Sequence, residues 1–175
     1  MAKSILQYDQ MQKEKKIPMF RLADVHIEAL TNYGELNFTL INMGDSIKIE
    51  NWMLEIQKID GKLLCRYILP PIVTSEGGSI ENITFNVYVV NRNLSYENIV
   101  YYAVLGAEQN ETYALAPGDV AFVNIVMTDN CPAKIYDVGL NVEKIIVRLL
   151  IPPSGYSVIL RCKYDLSEGE VICTE

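Results

Sequence analysis

The side chains best able to do chemistry in this sequence are a single histidine and four cysteines. His26 lies in the run Asp24-Val25-His26-Ile27-Glu28, and in a β-strand Asp24, His26 and Glu28 would share one face. A carboxylate beside a histidine favours the imidazolium, so this trio could serve as an acid–base or metal site. A solvated edge-strand face, whose charges deter pairing with other chains, explains the same pattern and is the interpretation we favour. A pH-sensitive contact between subunits is the third interpretation.

The cysteines form no C-x-x-C pair, which excludes zinc ribbons and thioredoxin-like motifs. The last two bracket the segment CKYDLSEGEVIC, in which S-E-G is the only turn signal. A hairpin with Ser167 and Glu168 as its two-residue loop would place Cys162 directly opposite Cys173. Residues opposed in this way lie close enough for a disulfide, so we expect a Cys162–Cys173 bridge.

The remaining cysteines, Cys65 and Cys131, are then left as a second pair. Reduced cysteines that pack as small hydrophobes are the alternative to either bridge. Disulfides would not by themselves place the protein outside the cell, because intracellular proteins of hyperthermophiles also contain them.

Acceptor sequences for N-linked glycans are more frequent than the composition predicts, and they fall at Asn37, Asn82, Asn93 and Asn110. Strand alternation puts Asn37 and Asn82 on outward faces, whereas Asn93 and Asn110 lie in polar connections. All four could carry a glycan if the chain meets the glycosylation machinery.

Catalytic and cofactor motifs are missing from the sequence. It contains no glycine-rich phosphate loop, no G-x-S-x-G elbow and no H-E-x-x-H helix. Its carboxylates are scattered, so no pair can be assigned to glycoside hydrolysis. We therefore expect no enzymatic activity, no cofactor and no metal site.

Charge and hydropathy limit the kinds of partner that the chain can bind. The 175 residues include 15 basic and 22 acidic side chains, for a net charge of −7. An acidic surface repels phosphate, so we expect no direct binding of duplex nucleic acid by the folded domain. No apolar run approaches the roughly 18 residues of a membrane-spanning helix, so we expect no membrane span.

Alternation with a period of two runs through most of the chain after Pro18, as in LNFTLIN, ITFNVYV and GYSVILRCKY. The alternation changes phase near Glu50-Asn51, which predicts a β-bulge, and no helical period is visible after Pro18. The turn signals are Asn32-Tyr33-Gly34, Met43-Gly44-Asp45, Asp60-Gly61, Glu76-Gly77-Gly78 and Pro117-Gly118-Asp119. About nine or ten short strands at this spacing predict an all-β domain over residues 18–175, a single β-sandwich of jelly-roll or immunoglobulin-like topology.

Residues 1–17 differ from the rest, being lysine-rich and polar after Leu6. We interpret them as an extended N-terminal arm that makes a homo-oligomer by adding a strand to a neighbouring subunit; a frayed terminus is the alternative. The segment has no secretory signal, so we expect a protein made and used without export.

The stretch GELNFTLINMGDSIKIENWMLEI, with LAPGDVAFVNI further on, resembles the β-sandwich domains of archaeal surface-filament proteins. Asn42 and Gly44 stand at the turn after the first strand, and Pro117 and Gly118 at the turn entering a later one. Unlike those families, the chain lacks an apolar N-terminal helix. With its polar arm, the chain also resembles single jelly-roll capsid proteins of archaeal viruses in architecture.

Three functions are consistent with these features. The first is a self-assembling structural protein, specifically a virion capsid subunit. The second is a glycosylated archaeal subunit of a surface or pilus filament, located on the extracellular cell surface. The third is a ligand-binding β-sandwich or an enzyme whose site has no recognisable motif.

Overall fold

The computed structural model describes residues 19–71, 82–90, 114–141 and 143–175. The predicted arm and the acceptor residues Asn93 and Asn110 lie outside these ranges. The fold is all-β, as expected from the alternation. In chain order the elements are β1 (Phe20–Ala29), β2 (Gly34–Asn42), β3 (Ile47–Lys48), β4 (Trp52–Lys58), β5 (Leu63–Leu69), β6 (Ile83–Val89), β7 (Ala114–Leu115), β8 (Val120–Met127), α1 (Cys131–Leu140), β9 (Lys144–Ile151), β10 (Ser154–Asp165) and β11 (Glu170–Thr174).

Nine of these strands form one antiparallel sheet in the order β5-β4-β9-β10-β11-β1-β2-β8-β6, and β3 pairs with β7 in a second, two-stranded sheet. The large sheet curls until its two ends approach each other. The ring centroids of Trp52 on β4 and Phe85 on the edge strand β6 are 5.7 Å apart, edge to face. The sheet is therefore nearly closed, with its inner face surrounding the core.

Alternation sends every second side chain into this core. On β2, for example, Leu36, Phe38 and Leu40 are buried, whereas Asn37 and Thr39 face outward. Each fully buried large apolar side chain contributes about 1.5–3 kcal/mol relative to exposure. The residues between them point outward and form the surface of the sheet.

A helix lies after β8, which corrects the expectation that none follows Pro18. α1 begins with Cys131 and has Pro132 in its first turn, where proline is well tolerated. Its buried residues include Ile135, Val138 and Gly139, which follow a helical period too short to stand out beside the strands. A side chain at Gly139 would overlap that of Val171, so glycine lets the helix approach β11 closely.

The phase change near Glu50-Asn51 is real, but the predicted bulge is wrong. Ile47 and Trp52 belong to separate strands in different sheets, joined by a bend in which Asn51 has a φ of +53°. A bulge and a turn between strands shift the alternation in the same way, so the sequence pattern does not separate them.

Asn42 ties the large sheet to the two-stranded one. Its side chain is fully buried, and Nδ2 donates to the carbonyl oxygens of Asp45, Leu115 and Ala116 at 2.9, 2.9 and 3.1 Å. Its Oδ1 accepts from the amide of Gly44 at 3.0 Å. The amide is thereby satisfied at both ends inside the protein, as a buried polar group requires.

The turn at Pro117 and Gly118 contacts the backbone of Asn42. The amide of Gly118 donates to the Asn42 carbonyl at 2.8 Å, and the amide of Asp119 closes the turn on the carbonyl of Ala116 at 3.0 Å. Gly118 has a φ of +84°, as the second central residue of a type II turn requires. The two turns singled out in the sequence therefore lie side by side.

Candidate interaction surfaces of the sheet

One disulfide joins two central strands of the sheet, and the other joins an edge strand to the helix. Cys162 pairs with Cys173 in the β10–β11 register, and Tyr164 pairs with Val171, as the hairpin argument expects. The amide of Cys162 points away from β11 and donates to the carbonyl of Glu143 at 3.2 Å. The cysteines are thus a non-hydrogen-bonded pair, the closer kind, and their Cα atoms are 4.0 Å apart.

The loop of this hairpin is longer than expected. The ladder ends at Asp165 and Glu170, so four residues rather than two make the turn. The amide and hydroxyl of Ser167 both donate to the Asp165 carboxylate, at 2.9 and 2.6 Å. These bonds lower the pKa of Asp165 below its ordinary value, and Gly169 supplies the positive φ, +66°, that returns the chain to β11.

The second disulfide joins β5 to α1. Cys65 and Cys131 have Cα atoms 5.8 Å apart and are separated by 66 residues. Close by, the hydroxyl of Tyr67 donates to the carboxylate of Asp129 at 2.8 Å. The edge strand β5 is therefore attached to the helix covalently and to the preceding loop by a charge-assisted hydrogen bond.

The structure does not place Asp24, His26 and Glu28 along one face of a regular strand, as the sequence pattern suggests. The β1–β2 register shifts between Ala23 and His26, and Asp24 has a φ of +54°. This irregularity takes Asp24 out of the regular alternation. His26 Nε2 and Glu28 Oε1 remain 3.0 Å apart on the outer face. No cluster of metal-binding side chains occurs among the described residues.

Two of the glycan-acceptor residues can be placed. Asn82 is exposed and directly precedes β6. Asn37 is half-buried in the middle of β2, and its Oδ1 accepts a hydrogen bond from Asn124 at 2.7 Å. Asn82 is consequently the more accessible acceptor of the two.

A row of amides crosses the outer face of β2, β8 and β6. Asn37, Asn124 and Asn86 are directly opposed in register, and Asn86 donates to Asn124 Oδ1 at 3.1 Å. Asn124 also donates to Glu35. The alternation within each strand predicts that these residues face outward. Their alignment in a row follows only from the order of the strands in the sheet, β2-β8-β6.

A buried carboxylate lies on the outer face of β4. Only 5% of the Glu55 side chain is exposed, because it is covered by Arg66 of β5 and Arg148 of β9. Its oxygens lie 3.0 Å from Arg66 Nη2 and 3.5 Å from Arg148 Nη1, and Gln57 donates to it at 2.8 Å. Nothing in the sequence pairs these residues, because they come from three strands.

Apolar side chains flank this cluster on both sides. We call them the outer apolar face: Met53, Leu63, Ile68, Ile146, Leu150 and Ile159. Ile68 is 47% exposed, Leu63 40% and Ile159 53%, which is unusual for outward positions on neighbouring strands. Apolar residues around a pair of half-exposed arginines that cover a buried carboxylate are a composition found in protein–protein interfaces.

Comparisons with protein families, with characterised proteins and with solved structures find no match to this chain. Among the described residues, no helix is long and apolar enough to cross a membrane.

Proposed function

We propose that this chain is a self-assembling structural protein and that its assembly is a virion capsid. The observation that carries the proposal is the outer apolar face, where exposed Ile68, Leu63 and Ile159 surround the Glu55 cluster. An exposed apolar patch of this kind marks a protein–protein contact. A second copy of the same chain is the partner that a one-protein shell or filament supplies.

The covalent framework supports the same role. Both disulfides join neighbouring elements of one subunit and leave no free cysteine among the described residues. Stapled subunits resist unfolding under the conditions that a virion or a cell-surface assembly meets. An extended N-terminal arm, if it adds a strand to a neighbour, would supply a second contact between subunits.

A glycosylated subunit of a surface or pilus filament is the second candidate. The exposed Asn82 in its acceptor sequence favours it, because glycosylation requires an accessible asparagine. This candidate would place the protein on the extracellular cell surface rather than in a virion.

Substitutions that introduce charge into the outer apolar face test the proposal. Ile68→Lys and Ile159→Lys together should leave the fold intact, because exposed positions tolerate substitution within about 0.5 kcal/mol. The double variant should remain a small species in multi-angle light scattering under conditions where the unmodified chain forms large particles.

The matched control is Leu166→Lys, which adds a lysine at an 87% exposed apolar position in the β10–β11 loop. It should assemble normally. Assembly of the Ile68/Ile159 variant to the same size as the unmodified chain would contradict this role for the face.

A further inference from the structure

The outer face is divided into a basic and an acidic stripe by β11. The basic stripe is formed by Lys144 on β9 and by Arg161 and Lys163 on β10. The acidic stripe is formed by Glu28 on β1 and Glu35 on β2. β11 lies between them in the strand order.

Each stripe contains a like-charge pair directly across the ladder. Glu28 is paired with Glu35, and Arg161 is paired with Lys144. Like charges directly opposite each other destabilise a sheet. The three basic side chains form no salt bridge with any residue that the structure describes. Asp165, two residues from Lys163 on the same face of β10, attracts Lys163 electrostatically but has no partner in the Arg161–Lys144 pair.

The repulsion between Glu28 and Glu35 on the acidic side is only partly relieved within the subunit. His26 lies 3.0 Å from Glu28, and Tyr33 donates to Glu35 at 3.2 Å. Burial raises the pKa of Glu170 on β11, and the negative charge of Glu28 raises it further. The local potential on this side is therefore negative, and it would be neutralised by cations from outside the subunit.

The registers set the two stripes at matching heights. Ile172 on β11 is paired with Glu28 on one side and with Lys163 on the other. Thr174 is paired in the same way with His26 and Arg161. Strands lie about 4.8 Å apart, so the two stripes are almost equidistant from β11.

When two copies pack face to face across a two-fold axis, only one direction of that axis brings the acidic stripe of one copy onto the basic stripe of the other. An axis in the plane of the face and parallel to β11 exchanges left for right and preserves height, which places Glu28 over Lys163 of the second copy. An axis across the strands would place acid over acid and base over base. Charge complementarity therefore selects the first.

We propose that a second copy of this chain docks on this face across a two-fold axis parallel to β11. Glu28 and Glu35 of each copy then face Lys163, Arg161 and Lys144 of the other, and Ile172 meets its symmetry mate at the axis. The inference rests on the proposed self-assembly and names one of its contacts.

Two carboxylates near the loop, Asp165 on β10 and Glu170 on β11, oppose this contact. Glu170 lies on β11, at the end near the loop, and the axis brings it close to Glu170 of the other copy. The two Glu170 carboxylates repel each other, so Glu170→Gln should strengthen the dimer. A head-to-tail contact between the same stripes gives no such effect.

Charge reversal in the full-length chain tests the proposal by sedimentation equilibrium. Glu28→Lys and Lys163→Glu should each weaken the dimer about a hundredfold, because a close charge pair is worth about tenfold or more and symmetry uses each pair twice. The double variant should recover the original affinity, and high salt should weaken the unmodified dimer.

Lys62→Glu is the control, since it makes the same charge change at an exposed residue of the β4–β5 turn. It should leave the affinity unchanged. Equal losses from Lys62→Glu and Lys163→Glu, absence of rescue in the double variant, or absence of any dimer would overturn the proposal. Particles that form normally despite the Glu28 and Lys163 reversals would overturn this contact while leaving the assembly role standing.

Zero-length carbodiimide cross-linking gives a second measurement. Mixed isotope-labelled and unlabelled copies should yield a Glu28–Lys163 cross-linked peptide that joins the two labels. A peptide joined only within one copy would also overturn the proposal.

Discussion

Glu28 and Lys163 lie at the same height on either side of β11, each paired directly with Ile172. Their opposite charges are kept two strands apart within one subunit, so neither neutralises the other at contact distance. A surface of this kind is complementary to itself, and it lies on the same curled sheet as the outer apolar face. A two-fold contact alone closes at a dimer, so a second, different contact on each subunit is what allows the dimers to extend into a shell or a filament.

The buried amide of Asn42 should be among the most sensitive polar positions of the fold. Asn42→Ala removes the donor to the Leu115 and Ala116 carbonyls and leaves those oxygens without it. We expect the free energy of unfolding in urea to fall by about 2–3 kcal/mol, because buried groups left unsatisfied are costly.

The matched control for Asn42 is Asn124→Ala, which removes an amide from the half-exposed outer row. Water can replace its bonds, so its effect should stay within about 1 kcal/mol. Equal effects of the two substitutions would contradict the role given to Asn42.

The disulfides should differ in their contribution to stability. Cys65–Cys131 closes a sequence separation of 66 residues, and Cys162–Cys173 one of 11. Restriction of the unfolded chain predicts about 4 kcal/mol for the longer loop and about 3 kcal/mol for the shorter. Pairwise replacement by alanine, followed by thermal and urea unfolding, should therefore destabilise the protein more at Cys65 and Cys131.

Non-reducing peptide mapping provides the corresponding check on connectivity. It should recover a Cys162–Cys173 peptide and a Cys65–Cys131 peptide. A Cys65–Cys162 peptide, or free thiols, would refute the hairpin register and the attachment of β5 to the helix.

The Glu55 cluster should respond asymmetrically to substitution. Removing both cations with Arg66→Met and Arg148→Met leaves the buried carboxylate unpaired, which costs about 3–5 kcal/mol. Glu55→Ala leaves two arginines that are 55% and 42% exposed and can be hydrated, so its cost should be about 1–2 kcal/mol. Urea denaturation of both variants checks the order, and the reverse order would contradict the assignment of Glu55 as the desolvated partner.

The loop of the β10–β11 hairpin should show a pH-dependent contribution to stability. The pKa of Asp165 is lowered in the folded state by hydrogen bonds from Ser167, so the stabilisation is present above the unfolded pKa near 3.8. It is lost as the pH falls through the lower, folded pKa. Ser167→Ala should raise the pKa of Asp165 toward its ordinary value in an NMR titration.

Ser157→Ala, on the exposed face of the same strand, is the control and should leave the Asp165 titration unchanged. An Asp165 carboxyl that titrates identically in the Ser167→Ala variant would show that the hydrogen bond from the Ser167 hydroxyl does not form in solution.

Local alternation was sufficient to predict most of the strands, because a two-residue period follows directly from the pleat. The alternating run ITFNVYV is β6 from its first residue to its last, and the Cys162–Cys173 register follows from one turn signal. α1 was missed because its ten residues make fewer than three helical turns amid β-rich flanks, too short a stretch for its period to stand out. The backbone irregularity at Asp24 coincides with a phase change in the apolar residues of β1, from Phe20 and Leu22 to Val25 and Ile27.

The surfaces that carry the proposals were beyond reach of the sequence for a different reason. Glu55 meets Arg66 and Arg148 only because β5, β4 and β9 are neighbours in the sheet. The charge stripes likewise depend on the placement of β11 between β10 and β1. Lateral strand order is set by long-range packing, which no local period encodes.

The most direct measurement of the central claim is electron microscopy of the purified full-length chain beside a chain lacking residues 1–17. The account predicts closed shells of regular size for the full-length chain, and a folded protein without particles for the shortened one. Filaments would favour the surface-filament alternative. A full-length chain that stays monomeric at high concentration, or a shortened chain that assembles unchanged, would contradict the account of self-assembly through the arm.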